Sequence, residues 1–276
     1  MTVREALRAA TARLDGAGVP DADVDAAYLL ASVLQEDTLA MRINGHRELT
    51  ERQRAAFDAL CDRRAAREPL QYILGETEFM GLTFHVEPGV LIPRADTEIL
   101  VEKALEVMPP NARVLDIGTG SGTIAVSLAK LGKNARVTAV DVSDKALEIA
   151  RKNAESSGAD VEFVKSDCFS ALQGRKYDMI VSNPPYISDD EMRGLMPEVK
   201  REPELALFGG EDGLDFYRRI SREAPEYLNE GGFLLFEIGW LQKDAVSECV
   251  RTFVGEPFAL RDYGRNWRVV GAQMKR

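Results

Sequence analysis

The first 75 residues carry apolar side chains at the spacing of amphipathic helices. Between residues 3 and 14 the apolar positions recur every three or four residues, which places them on one face of a helix. Thr50, followed three residues later by Gln53, has the spacing of a capping box and predicts that another helix begins there. The same apolar spacing predicts two further helices, over residues 23–34 and 38–42. We therefore predict that residues 1–75 form a small helical domain.

The pattern changes over residues 76–95, where short apolar runs are interrupted by glycine and proline. Phe79, Leu82 and Phe84 lie close to Gly81, a residue type that is typical of tight turns. We predict that this stretch is a β-hairpin that links the helical domain to the rest of the chain.

From residue 96 onward, apolar runs of strand length alternate with amphipathic segments of helix length. That alternation is typical of an α/β domain, in which parallel strands are joined by crossover helices. Strands are predicted over residues 113–117, 137–142, 161–165, 177–182 and 231–239, with two closing strands within 257–273. Helices are predicted over residues 123–131, 145–155, 214–228 (with Asp212 as the N-cap) and 241–254. The third predicted domain therefore covers residues 96–276.

The composition fits a globular protein and limits the kinds of site that it can carry. The formal net charge of −10 argues against a broad phosphate-binding surface, which needs clustered Lys and Arg. No apolar run approaches the ~20 residues needed to cross a bilayer, and the first residues resemble a helix rather than a secretory signal. We therefore expect no direct binding of nucleic acid and no membrane association.

Cysteine and histidine are too scarce and too scattered for several chemistries. The cysteines Cys61, Cys168 and Cys249 form neither a metal-binding motif nor an even set for disulfides, which favours a reducing cytoplasm. The two histidines, His46 and His85, are too few for a histidine-based metal site or a Ser-His-Asp triad. We expect a cytoplasmic protein without a bound metal.

A glycine-rich loop follows the first predicted strand of the α/β domain. Its glycines, Gly118, Gly120 and Gly122, allow a tight turn and a close approach of the backbone to a ligand. Thr123 stands where the dinucleotide fingerprint has its last glycine, and Asp116 would meet a pyrophosphate with the wrong charge. An ammonium group suits Asp116 better, which favours S-adenosylmethionine over NAD. The alternative, that Asp116 only stabilises the loop, remains open.

Acidic residues also end the next two predicted strands. Asp141 can accept hydrogen bonds from both ribose hydroxyls of a nucleoside, or it can serve only as a favourable charge at a helix N-terminus. Asp167 can accept from an adenine amino group, and the backbone amide of Cys168 can donate to a ring nitrogen. Together with the glycine-rich loop, these strand ends predict a pocket for an adenosine-containing cofactor.

Asn183, Pro184, Pro185 and Tyr186, which we call the elbow, directly follow the apolar strand predicted over residues 177–182. Proline cannot continue a central strand, so the chain must turn stiffly here, at the strand end where open α/β sheets bind ligands. The side-chain oxygen of Asn183 and the carbonyl oxygen of Pro184 would then be neighbouring acceptors, which suit an NH2 group. We predict that the elbow holds a planar substrate nitrogen during group transfer. The simpler interpretation is a turn that only ends a strand.

With these residues assembled, the chain resembles the protein-(glutamine-N5) methyltransferases that modify peptide chain release factors. The elbow motif is shared with enzymes that methylate amino groups of nucleic acids, so it is only moderately specific. Two stretches, residues 93–98 and 207–213, are much more specific to the family. The resemblance covers nearly the whole chain. It has two departures, Ala95 where proline is common and Cys168 where a bulky aromatic is common.

The resemblance implies a seven-stranded, Rossmann-like class I methyltransferase domain together with a helical domain that docks the substrate. The implied reaction moves a methyl group from S-adenosylmethionine to the N5 nitrogen of the glutamine in the Gly-Gly-Gln motif of class-1 release factors. By resemblance, the residues that hold the glutamine are Asn183, Pro184, Pro185 and Tyr186. From the strand ends and the resemblance together, the residues expected to bind the cofactor are Asp116, Gly118, Thr119, Gly120, Ser121, Gly122, Asp141, Asp167, Cys168 and Asn183.

Three other functions remain as alternatives. An adenine-N6 methyltransferase acting on DNA or RNA would use the same elbow on an exocyclic amine, although the acidic composition argues against it. A module that binds the cofactor without turnover, and a dehydrogenase, fit the elbow and the loop less well. The roles of Arg94, Asp96 and Glu98 stay open between a salt-bridge network and a lid over the cofactor.

Overall fold

The computed structural model describes residues 1–275, which separate into two compact units. The first unit contains Met1–Glu76 and the short segment Met196–Arg201. The second contains Thr77–Leu195 and the chain from Glu202 onward. Over residues 1–275, no helix is both long enough and apolar enough to cross a membrane.

The first unit is built from five helices, and its principal predicted elements are confirmed. Thr50 caps its helix as predicted, because its hydroxyl accepts the Gln53 N–H while the Gln53 side chain accepts the Thr50 N–H. The last helix is only five residues long, too short to show a helical period in the sequence. The helices are α1 (Val3–Gly16), α2 (Ala22–Leu34), α3 (Thr38–Ile43), α4 (Glu51–Ala65) and α5 (Leu70–Leu74).

Arginines of the first unit bind the segment Met196–Arg201. Arg64, which is only 4% exposed, donates to Asp25 at 2.6 Å and to Glu198 at 2.9 Å. Arg67 donates to both carboxylate oxygens of Glu198, each at 2.6 Å. Two guanidinium groups therefore share one carboxylate, which ties the segment to the helices of its own unit.

The second unit contains a two-stranded sheet and a seven-stranded sheet, as predicted. Two of its helices, α6 and α9, were not predicted. The strands are β1 (Glu76–Phe79), β2 (Leu82–His85), β3 (Arg113–Ile117), β4 (Arg136–Asp141), β5 (Val161–Lys165), β6 (Tyr177–Ser182), β7 (Leu228–Glu237), β8 (Pro257–Arg261) and β9 (Trp267–Gln273). The helices are α6 (Glu98–Val107), α7 (Thr123–Leu131), α8 (Asp144–Ser157), α9 (Asp189–Gly194), α10 (Asp215–Glu223) and α11 (Lys243–Phe253).

The large sheet has the order β5-β4-β3-β6-β7-β9-β8. The first five strands in that order are parallel, whereas β9 runs antiparallel to both β7 and β8. Alternate residues of the central strands enter two separate apolar clusters: Val114 belongs to one and Leu115 to the other. A sheet that is buried on both faces leaves its strand ends as the place for a ligand.

The helix predicted over residues 214–228 is shorter in the structure. The α-helix α10 ends before Pro225, which has no N–H to continue it, and one 3-10 turn follows. Asp212 is not the N-cap, because Leu214 occupies that position and no side chain caps the helix there. The predicted cap was therefore wrong by two residues.

Candidate active site at the strand ends

Three parallel strands end side by side at the centre of the large sheet. Ile117, the last residue of β3, is paired with Val140 in β4 and with Ser182 in β6. The Ser182 hydroxyl also donates to the Ile117 carbonyl at 2.7 Å, which fixes β6 against β3 at its last residue. Among the predicted site residues, Gly118 and Asn183 directly follow β3 and β6, and Asp141 is the last residue of β4.

A cavity of about 140 Å³ lies at this edge of the sheet. It brings together the glycine-rich loop, the acidic strand ends and the elbow. Within residues 1–275, no group of His, Cys, Asp and Glu is arranged to hold a metal ion. The predicted site residues that line the cavity are Gly118, Gly120, Asp141, Asp167, Cys168, Asn183, Pro184 and Pro185.

The backbone of the glycine-rich loop is open to a ligand at two positions. Gly118 and Gly120 have φ angles of +73° and +55°, in the left-handed region that strains residues with a Cβ. A Cβ added at either position would meet no atom within 4 Å. Since both glycines line the cavity, their N–H and C=O groups can approach a bound molecule closely.

The Asp141 carboxylate is held in a fixed orientation at the edge of the cavity. Its Oδ2 accepts the Gly120 N–H and its Oδ1 accepts the Ser143 N–H, each at 2.9 Å. Each carboxylate oxygen can accept a further hydrogen bond. The side chain therefore presents two oriented acceptors, the arrangement that a pair of ribose hydroxyls requires.

Asp116 lies under the loop rather than in the cavity. It is fully buried, and the Thr119 hydroxyl donates to its Oδ2 at 2.7 Å. Burial raises the pKa of Asp116 to about 7, against the effect of the Thr119 hydrogen bond. This contact favours the interpretation that Asp116 stabilises the loop, and its predicted contact with an ammonium group stays a prediction.

Thr119, Ser121 and Gly122 support the loop from positions that do not line the cavity. Thr119 accepts the Gly122 N–H at 2.8 Å through its carbonyl oxygen, which closes the turn before α7. The Ser121 carbonyl accepts from the buried side chain of Asn153 at 2.8 Å, so α8 also holds the loop. Direct contact of these three residues with a cofactor stays a prediction.

The third strand end has an ion pair and a buried thiol. Arg219 donates to the Asp167 carboxylate at 2.7 Å, which leaves the second carboxylate oxygen for another donor. Burial raises the pKa of the Cys168 thiol to about 12, so the thiol stays neutral. Cys168 belongs to the same apolar cluster as Ile220, with Phe216 packed against it. All three line the cavity, and they give it an apolar end suited to a flat purine ring.

The elbow is fixed through Asn183 and Tyr186. Asn183 Nδ2 donates to the Thr97 hydroxyl at 3.4 Å, so this nitrogen is engaged and the amide oxygen is the free end of the side chain. Tyr186 packs against an apolar cluster of the unit and does not line the cavity. Burial raises the pKa of Tyr186 to about 12, which keeps the phenol neutral.

Arg94, Asp96 and Glu98 all have partners within the second unit. Arg94 pairs with the buried Glu202, and Asp96 pairs with Arg268 at 2.9 Å. Glu98 accepts the backbone N–H of Met80 at 2.6 Å. These contacts favour the interpretation as a network of structural links over that of a lid.

Apolar residues of the cavity wall were not predicted from the sequence. They come from turn-rich segments and from α10, where apolar side chains are ordinarily assigned to the core. The helical period of α10 was the one signal that could have identified Phe216 and Ile220. Among the unpredicted apolar residues of the wall are Val90, Leu91, Leu205, Ala206, Phe216 and Ile220.

Comparison with known proteins identifies the family of the chain. Residues 5–75 match the family model described as PrmC N-terminal domain, and residues 82–198 match that described as Methyltransferase small domain. The chain is 46% identical over 275 residues to a release factor glutamine methyltransferase of Geobacter sulfurreducens, covering 99% of this chain and 97% of that protein. It is 45% identical to the protein of the same name from Koribacter versatilis, covering 91% of each.

A solved structure shows the same fold at lower identity. A crystal structure of a methyltransferase from Pyrococcus furiosus superimposes with a TM-score of 0.56 and 23% identity, covering 71% of this chain and 90% of that chain. The fold and the site thus define an S-adenosylmethionine-dependent methyltransferase. More narrowly, the chain belongs to the release factor glutamine methyltransferase family.

The residues of the cavity fit this cofactor. The open backbone at Gly118 and Gly120 can take the methionine part, and the Asp141 carboxylate is oriented for ribose hydroxyls. The apolar end beside Cys168 and Phe216 offers a surface for adenine. Phe216 also supplies an aromatic ring at this end of the cavity, where the chain has Cys168 in place of the bulky aromatic that is common in the family.

Proposed function

We propose that this enzyme methylates the side-chain amide nitrogen, N5, of the glutamine in the Gly-Gly-Gln motif of class-1 peptide chain release factors. The observation that carries the proposal is the position of the elbow. Asn183 and Pro184 line the same cavity as Gly118, Gly120 and Asp141. The acceptors for a substrate NH2 group and the residues expected to bind the methyl donor therefore line the same cavity.

The elbow suits a carboxamide because it offers acceptors to a group with two hydrogens to donate. The Asn183 side-chain nitrogen is engaged with Thr97, which leaves the oxygen of the same amide as the acceptor for a substrate. The Pro184 carbonyl follows directly, on a chain segment stiffened by two prolines. Hydrogen bonds of roughly 2.7–3.2 Å to both oxygens would turn the substrate nitrogen toward the methyl donor.

The chemistry asks for positioning rather than for a strong base. When bound, S-adenosylmethionine supplies a methyl carbon that bonds to the glutamine nitrogen as its bond to sulfur breaks, with the electron pair left on the sulfur. The nitrogen then gives up one proton to solvent, which restores the neutral amide. An amide nitrogen is a weak nucleophile, so the two acceptors of the elbow and the exclusion of water by the apolar wall supply the advantage.

The helical unit and the compartment are part of the same proposal. We infer that α1–α5, which match the PrmC N-terminal domain and do not line the cavity, help to dock the release factor. The three cysteines are all free, and two of them are buried, as suits a cytoplasmic enzyme. The net charge of −10 supports a protein substrate without direct nucleic-acid binding.

Mass spectrometry of a release factor after incubation with the enzyme and S-adenosylmethionine tests the proposal. We expect a gain of about 14 Da, one methyl in place of one hydrogen, on the glutamine of the Gly-Gly-Gln motif. A duplex oligonucleotide that contains adenine serves as the second substrate in the same assay. Methyl transfer to the oligonucleotide but not to the release factor would contradict the proposal in favour of an adenine-N6 methyltransferase.

A further inference from the structure

Thr97 has a hydroxyl that its own helix does not use. The residue occupies the N-cap position of α6, where threonine ordinarily caps the helix, yet its side chain accepts no N–H from the first turn. Its hydroxyl instead receives the Nδ2–H of Asn183, 3.4 Å away. Thr97 is only 4% exposed, so water does not readily replace this contact.

Glu237 is a buried acid beside the same pair. It is the last residue of β7, and the residue before it is paired with Ser182, so Glu237 ends its strand next to Asn183. Its side chain is 1% exposed, and its Oε2 has no hydrogen-bond partner within the described chain. Burial raises the pKa of Glu237, and hydrogen bonding by the side chains of Thr97 and Asn183 acts against that rise. The reaction described above gives this carboxyl no role.

The hydrogens that Glu237, Thr97 and Asn183 can donate determine the direction of hydrogen bonds among these three side chains. When the Glu237 carboxyl is ionised it can only accept, and the Thr97 hydroxyl is then a group that can give it a hydrogen. The Thr97 oxygen is then left as an acceptor, and the Asn183 NH2 group is the donor that meets it. If the Asn183 amide were rotated by half a turn, its oxygen would face the Thr97 oxygen and lie beside the Glu237 carboxylate, so that acceptors would meet acceptors. This rotation would cost at least one hydrogen bond in a buried place.

We propose that Thr97 and Glu237 are positioning residues that fix the side-chain amide of Asn183 with its oxygen toward the substrate. The inference rests on the proposed function of the elbow, and it assigns a task to Thr97, one residue of the family-specific stretch 93–98. Neither residue lines the cavity, so both act through Asn183.

Other charged and polar groups around Glu237 also affect the pKa of its carboxyl. Burial is the main effect; with the nearby Asp96, which also raises the pKa, and the Arg268 guanidinium, which lowers it, the pKa of Glu237 is raised to about 7. The phenols of Tyr186 and Tyr217 also interact with this carboxyl, and Tyr217 donates to the Glu237 carbonyl at 2.8 Å. Arg268 in turn pairs with Asp96 and Asp262, so its charge is divided among three acids.

A pair of substitutions at Thr97 tests the inference. Thr97→Val keeps the shape and removes the hydroxyl, whereas Thr97→Ser keeps the hydroxyl. We expect Thr97→Val to lower kcat on the release factor roughly tenfold to hundredfold, with the dissociation constant of S-adenosylmethionine and the melting temperature little changed. Thr97→Ser should recover most of the rate. Equal kcat values for the two variants, or a loss explained by unfolding or by weak cofactor binding, would overturn the inference.

Substitutions at Glu237 test the second half of the chain. Glu237→Leu removes the acceptor and should lower kcat as Thr97→Val does, while Glu237→Gln keeps one acceptor oxygen and should retain more activity. Because the two residues act in series, the double variant Thr97→Val, Glu237→Leu should lose no more than the worse single variant. Fully additive losses would show independent roles and contradict the inference.

A readout without substrate separates this inference from the proposed function. The side-chain NH2 of Asn183, identified by its absence in Asn183→Ala, should exchange its hydrogens slowly in the wild type and in Thr97→Ser. It should exchange faster in Thr97→Val. This result together with an unmethylated release factor would leave the positioning intact and refute the proposed substrate. Methylation of the release factor together with wild-type exchange in Thr97→Val would refute the positioning role and support the proposed substrate.

Discussion

Gln242 holds the backbone of Tyr186 in place, since its Nε2 donates to the Tyr186 carbonyl oxygen at 3.0 Å. The same nitrogen donates to the Gly213 carbonyl at 3.2 Å, and the Gln242 Oε1 accepts the Gly239 N–H at 3.0 Å. One side chain therefore joins the elbow, the loop before α10 and the segment that follows β7. The two prolines of the elbow have no N–H of their own, so side chains must supply part of its rigidity.

Replacing Gln242 by leucine should loosen the elbow without changing a residue that lines the cavity. Gln242→Leu removes three hydrogen bonds and leaves backbone groups unpaired, so we expect the free energy of unfolding to fall by about 2–3 kcal/mol. We expect kcat to fall roughly tenfold. Gln173→Leu, at an exposed glutamine that does not line the cavity, is the control. A wild-type kcat in Gln242→Leu would show that the elbow is rigid without this side chain.

Asn183→Ala should separate turnover from cofactor binding. The substitution removes the oxygen that is predicted to accept from the substrate NH2 group, so we expect kcat to fall on the order of hundredfold or more. The dissociation constant of S-adenosylmethionine, measured by calorimetry, should change far less. Equal losses in both quantities would contradict the role assigned to this side chain.

Gly120→Ala should weaken cofactor binding more than it destabilises the fold. A Cβ at Gly120 enters open space beside the cavity at a φ of +55°, so it adds backbone strain of about 1 kcal/mol and also occupies the ligand's side of the loop. Gly174→Ala is a matched control, because Gly174 has a φ of +75°, equally open surroundings and no place in the cavity wall. Similar cofactor affinities in the two variants would show that the loop does not approach the ligand at Gly120.

Glu237→Gln should be more stable than the wild type at neutral pH. An acid whose pKa is raised by folding, here from 4.5 to about 7, loses stability as pH rises between those values, because the unfolded chain ionises first. Glutamine cannot ionise, so its advantage should grow across this range to about 3 kcal/mol at most. Urea unfolding at about pH 4 and about pH 8 measures the difference. An advantage that does not grow with pH would show that Glu237 is not a strained acid.

Glu198→Gln should destabilise the first unit in the opposite pH window. Burial raises the pKa of Glu198, but hydrogen bonds from Arg67 and Arg64 outweigh it and lower the pKa to about 2. The carboxylate therefore contributes stability above pH 4.5 that is lost as pH falls toward 2. We expect Glu198→Gln to cost about 1–2 kcal/mol at neutral pH, after allowance for solvent screening. Hydrogen exchange of the α4 amides measures this cost, and exchange equal to wild type would contradict it.

Strong local signals were enough to predict most of the fold from the sequence. The strands over residues 113–117, 161–165 and 177–182 and the helix over 123–131 have the predicted bounds. Each has a clear apolar run or period ended by glycine, proline or an acid. Helix α6 was not predicted because it directly follows the proline-rich linker stretch, and α9 because six residues show no period.

The residues that line the cavity were predicted only where the chemistry of a side chain or of a glycine indicated a ligand. Asp141 and Asn183 end their strands with polar groups at the place where ligands bind, and both line the cavity. Asp116 is also an acid near a strand end, but its side chain is fully buried and accepts the Thr119 hydroxyl under the loop, which only the structure reveals. Glu237 also ends an apolar strand, so the rule applied to Asp141 could have identified it.

A crystal structure of the enzyme with S-adenosylhomocysteine and a glutamine-containing release factor peptide tests the central claim most directly. The quantity to measure is the distance from the glutamine side-chain nitrogen to the Asn183 Oδ1 and to the Pro184 carbonyl oxygen. We expect both distances to be roughly 2.7–3.2 Å, with the nitrogen facing the sulfur. A nitrogen held by other groups, with the two oxygens turned away from it, would contradict the account.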